Sequence, residues 1–129
     1  MRLLLILILM AASTLGAAVA ADKVAELRAR MDTLQDTRDD LRDALDAKDG
    51  AKTAALSSEI ARLLQQDQAL WKEQGFDDVL KINQGTIDLA EKIGSQAKSG
   101  DTQHALESYL ALQKRCASCH DLHPEKRLH

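Results

Sequence analysis

From residue 22 onward the apolar side chains return every third or fourth position, the period of a helix with one buried face, not the alternation of a strand. Over 22–48 they fall at Val24, Leu27, Met31, Leu34, Leu41 and Leu45, with Arg38 occupying one place on the same stripe. A second run, 52–73, places Leu56, Ile60, Leu63 and Leu70 on its stripe, and a third, 77–98, places Val79, Ile82, Leu89 and Ile93. The last, 101–122, carries Ala105, Tyr109, Leu112, Cys116 and Cys119. Gly50, Gly75 and Gly100 separate the four runs, and the sole proline, Pro124, follows them all, so no proline interrupts a helix. Asp101 stands where an N-cap would accept from the first free amides of the fourth helix. Four amphipathic helices joined by short turns predict an all-α fold, an antiparallel up-down-up-down four-helix bundle. Gly85 lies inside the third run, at a cost of about 1 kcal/mol relative to alanine; it is either a lone glycine that the helix tolerates or the mark of a place where something approaches the backbone.

The first twenty residues read differently. Met1-Arg2 precedes the apolar run Leu3 to Met10, and small residues ending Ala18-Val19-Ala20 follow. That is the pattern of a secretory signal peptide with an A-x-A cleavage site. Ser13, Thr14 and Gly16 interrupt the run, which weighs against an uncleaved anchor. The expected organisation is a signal peptide over 1–20 and a single helical domain over 21–129, with the product released into the periplasm.

Cleavage after Ala20 would leave 109 residues, enough for one small domain, with 16 basic residues against 20 acidic. An acidic balance disfavours nucleic acid as a partner, because phosphate binding requires a basic surface. Trp71, Phe76 and Tyr109 are the only aromatic residues. An interior with three rings is filled either by aliphatic side chains or by something that is not protein.

The only two cysteines sit in the stretch "RCASCHDLH" over 115–123. On a helix Cys116 and Cys119 are three apart, and Cys116 and His120 four apart, so all three share one edge, and that edge belongs to the inward stripe. Four chemistries compete for them. C-x-x-C-H is the attachment signature of c-type haem, with two thioether links and the histidine as an axial iron ligand. A redox dithiol belongs at a helix N-terminus, where the dipole lowers the thiol pKa, and this pair sits at the opposite end. A zinc site could draw on Cys116, Cys119, His123 and His129, at intervals shorter than structural zinc sites normally use. A disulfide suits an exported chain but leaves His120 unexplained. Covalent haem c absorbs all three residues, and a zinc- or disulfide-stapled helical interaction protein is the remote alternative.

The stretch "IDLAEKIGSQAKSGDTQHALESYLALQKRCASCH", Ile87 to His120, resembles the last two helices of the class II cytochromes c, the cytochrome c′ family and its low-spin relatives. In the first helix "LRARMDTLQ" is similar to the family's arginine followed four residues later by a haem-facing leucine or methionine. The resemblance implies a four-helix bundle with one covalent haem, engaged in electron transfer with periplasmic or membrane redox partners or in binding small gases. It implies Arg30 as a propionate contact, Leu34 as a distal-pocket residue, and pairing of two chains through their first two helices. The family continues after its histidine with an aromatic residue and an arginine; this chain has His123 and Pro124 there.

Whether iron has a second protein ligand separates an electron carrier from a gas-binding haem protein. No methionine follows His120, so such a ligand is expected upstream, and Met31, on the inward stripe, is the one methionine beyond the signal segment. Alignment on the family's arginine selects Leu34 instead, which would leave the iron five-coordinate. His104 lies sixteen residues before His120, about 24 Å along a helix, and cannot share the metal; His104, His123 and His129 are all expected at the surface. Lys114, Arg115, Lys126 and Arg127 flank the cluster, where they either complement the dipole at a helix C-terminus or form a basic rim that steers an acidic redox partner. No nucleophile with its base, paired carboxylates or phosphate loop appears, and no enzyme is expected.

Overall fold

Three short connections of one kind set the architecture. In a computed structural model, which describes the backbone of residues 2–123 and the side chains of 21–123, the helices are α1 (Arg2–Asp46), α2 (Gly50–Gln74), α3 (Asp77–Lys98) and α4 (Thr102–Leu122). Each of the first three ends with one residue in the left-handed region, and the next residue is the N-cap of the following helix. After α2, Gly75 at φ 73° donates to the Lys72 carbonyl and Phe76 to the Trp71 carbonyl. After α3, Gly100 at φ 77° donates to Ala97 and Asp101 to Gln96. These paired bonds satisfy carbonyls that the helix end would otherwise leave bare.

The first connection corrects the sequence reading. Gly50, expected to break the chain after α1, is instead the first residue of α2, and Lys48, at φ 55°, takes the left-handed place. Lys48 donates to Leu45 and Asp49 to Ala44, the same pair of bonds as in the other two turns. Asp49 caps α2 by accepting from the Lys52 amide at 3.0 Å. Gly50 is small for a packing reason: a Cβ there would lie 2.9 Å from the Ala97 carbonyl oxygen. Asp101 caps α4 as expected, accepting from the His104 amide at 3.3 Å.

The chain divides into two compact units, residues 1–32 and 33–129, with the boundary inside α1. The second unit contains the four-helix bundle, built from α1 beyond Asp32 together with α2, α3 and α4. Leu41 and Leu45 of α1 meet Ile60, Ala61 and Leu64 of α2, Ile87, Ala90 and Ile93 of α3, and Ala105, Tyr109 and Leu112 of α4 in one core. That core is aliphatic apart from Tyr109, so sparse aromatics do not in themselves call for a non-protein filler.

The buried faces of α2 and α3 are more polar than the apolar stripes suggested. Thr53, Ser57 and Asp67 of α2 and Asn83 and Thr86 of α3 are buried, while Leu56, Leu70, Ile82 and Leu89 are only half-buried. Asn83 Nδ2 donates to the Leu64 carbonyl at 2.9 Å across the helix pair. Ser57 and Thr86 each donate back to their own helix, to Thr53 and Ile82. Small residues line this contact: a Cβ at Gly94 would lie 3.6 Å from the Ser57 side chain. Buried hydroxyls and amides with such partners avoid the desolvation penalty of an unmade bond.

Candidate functional site

The cluster occupies the last two turns of α4, next to the start of α3. Tyr109, Leu112 and Cys116 lie on one face of α4, and the first two are essentially fully buried. Cys116 continues that face and packs against the core. Burial pushes its thiol above the usual 9.0, partly opposed by the positive charge of Arg38. Cys119 is half-buried and is also pushed up, by burial first and then by Cys116 and the Asp78 carboxylate. Both are free thiols. His120 is exposed, so of the three residues expected to face inward only Cys116 packs against the core.

Arg38 was visible in the sequence only as a charged residue on an apolar stripe. One of its guanidinium nitrogens bonds to Asp39 at 3.2 Å, while its Nε is buried without a hydrogen-bond partner. Its backbone carbonyl accepts from the Tyr109 hydroxyl at 3.3 Å, and Gln113 Nε2 donates to that hydroxyl at 3.1 Å. Arg42 lies 6.0 Å over the same ring. Arg38 is thus the α1 arginine that the bundle brings to Cys116. Arg30, named by the resemblance, belongs to the first unit and pairs with Glu26 at 3.8 Å. Met31 is in that unit too, half-buried, whereas Leu34 is in the bundle and packs against its core.

His123 departs from the surface role expected of it. It caps the end of α4, donating its backbone amide to the Cys119 carbonyl at 3.1 Å. Its Nε2 lies 2.7 Å from Asp78 Oδ2, its ring stands edge-on to Phe76 at 5.5 Å, and its side chain is only 16% exposed. The bond to His123 holds the Asp78 carboxyl below its usual range. His104, by contrast, is exposed near the other end of α4 and bonds to Asp101. The Arg115 guanidinium lies near Gly85, where a Cβ would come within 3.2 Å of it, a contact that a long flexible side chain can relieve.

Among the described residues no three His, Cys, Asp or Glu side chains gather as a metal-binding group. His129, the fourth ligand of the zinc alternative, lies outside the described residues, as do Pro124, Lys126 and Arg127 and the side chains of the expected signal peptide. No family model, no curated protein and no solved structure matches this chain. Its chemistry is therefore argued from its own residues.

Proposed function

We propose that the chain is an exported monohaem c-type cytochrome. Cys116 and Cys119 form the thioether links, His120 is the proximal iron ligand, and electrons pass to and from redox partners in the periplasm or at its membranes. The donor set carries the reading: two thiols and an imidazole at Cys116, Cys119 and His120, on one edge of α4. Two further features support the reading. Burial pushes both thiols up, which does not suit a redox dithiol that works as thiolate. Arg38 offers a buried Nε–H with no partner beside Cys116, a donor available to an acidic edge of the group. Once attached, the group supplies reversible one-electron exchange at its iron. The chain's own share is to anchor one link against the core through Cys116 and to leave His120 at the surface end of the helix. Residues 1–20 deliver the chain to the compartment where such attachment takes place.

A second reading, a five-coordinate haem protein that binds small gases, is favoured by Leu34, an apolar side chain with no ligating atom that packs against the bundle core. The absorption spectrum of the purified exported protein tests both. A c-type haem spectrum, with mass spectrometry giving a chain that begins at Ala21 and carries one haem, is expected. A reduced low-spin spectrum unmoved by carbon monoxide identifies the electron carrier, and a shift on adding the gas identifies the second reading. A chain that stains blank for haem on a denaturing gel overturns both and leaves the zinc- or disulfide-stapled interaction protein.

A further inference from the structure

Helix C-termini fray, because their last carbonyls have no partner within the helix. The cluster of this chain sits where fraying would reach it: Cys119 and His120 lie in the final turn of α4, which ends at Leu122. The end is nonetheless tied down. His123, the residue after α4, reaches across to the first turn of α3 and meets Asp78 at 2.7 Å. The carboxylate is oriented beforehand, since its other oxygen accepts from the Val79 amide at 2.9 Å. Phe76, the N-cap of α3, presents its ring to the His123 imidazole. The His123 amide then closes the last turn on the Cys119 carbonyl. One chain of contacts runs from the start of α3 to the backbone of a cluster cysteine.

We propose that Asp78, acting through His123 and backed by Phe76, is a positioning residue for the cluster: it holds the last turn of α4 closed, so that Cys119 and His120 keep fixed places on the helix. The clasp exists in the bare polypeptide; only its consequence for attachment rests on the haem reading. A sequence scan sees Asp78 as one of two acidic residues at a helix start, a common and unremarkable choice. The second role comes from its pairing with a residue 45 positions away.

Amide hydrogen exchange in the full chain prepared without haem tests the clasp. The variants are Asp78→Asn, which keeps an acceptor for Val79, together with Asp78→Ala, His123→Asn and the double variant Asp78→Ala/His123→Asn. The single variants should speed exchange of the amides from Cys119 to His123 by up to about fivefold, the scale of a partly exposed ion pair. Exchange in α2 should be unchanged. Because Asp78 acts through His123, the double variant should be no faster than the singles. Unchanged exchange over 119–123 in Asp78→Ala, or two single effects that simply add, would overturn the proposal. Attachment is read separately: the fraction of chains linked through both thiols should fall in Asp78→Ala, with the global unfolding midpoint little moved. If the parent chain takes no haem, the functional reading fails while the exchange result stands. If it takes haem and exchange is unaltered, the clasp fails alone.

Discussion

At the scale of single residues, two positions near the first turn carry opposite strains. Lys48 holds a left-handed backbone that glycine adopts freely, at a cost of about 1 kcal/mol. Lys48→Gly should therefore raise the urea midpoint, a gain of about 1 kcal/mol. Gly50→Ala should lower it, because the new methyl would press on a backbone oxygen of α3 that cannot swing aside; overpacking of this kind costs about 1–3 kcal/mol, more than the helix propensity that alanine adds. The thiols give a test of a different sort. Both are pushed above 9.0, so the reactive thiolate is scarce at neutral pH. In the chain without haem, iodoacetamide should modify both cysteines more slowly than a free thiol, with Cys116, the one packed on the core, slower than Cys119. Fast alkylation of Cys116 at pH 7 would contradict the burial assigned to it.

Among the elements, α4 depends on its cap. Asp101 accepts from the His104 amide and meets the His104 ring at 2.7 Å, and these bonds hold its carboxyl below the ordinary 3.8. A carboxylate with a lowered folded pKa stabilises the fold above its unfolded value and loses that contribution as pH falls through the folded one. Acid unfolding should thus include a contribution from Asp101 below about pH 4, and Asp101→Asn should flatten that part of the stability profile by lowering stability at neutral pH while leaving the acid end little changed. The elements themselves were legible from periodicity and punctuation. α3 and α4 follow the predicted bounds because Gly75, Gly100 and Asp101 act as their residue types suggest. The first turn was misread because a lysine fills the left-handed place and the adjacent glycine answers to packing, a tertiary cause that no local pattern carries. The polar half of the α2–α3 contact was hidden for a similar reason: Asn83 and Thr86 look like surface residues until their acceptors are in view. Of the site, the thiols and His120 stood out by type and spacing. Arg38 and Asp78 did not, and His123 stood out only as a zinc ligand or a surface residue, since each acquires its role from a partner on another helix.

At the scale of the whole molecule, the same helix serves the core and the cluster, yet the two are separable along its length. Leu112 is 1% exposed and belongs to the central cluster of side chains, whereas His120, two turns later, is exposed. Removing Leu112 atoms leaves a cavity in that core, and Leu112→Ala should cost about 2–5 kcal/mol in denaturant unfolding. His120→Ala, in the chain without haem, should change stability by no more than about 0.5 kcal/mol, the range for surface positions. On the proposed haem reading the ranking should reverse for the spectrum: His120→Ala would remove the proposed proximal nitrogen and change the absorption bands, while Leu112→Ala, where it folds, would leave their positions nearly unchanged. Such a split is what a bundle built as a scaffold, with its chemistry confined to one end, requires. If His120→Ala unfolded the bare chain as severely as Leu112→Ala, the histidine would be part of the fold's own framework, and the division of α4 into a supporting half and a working half would have to be given up.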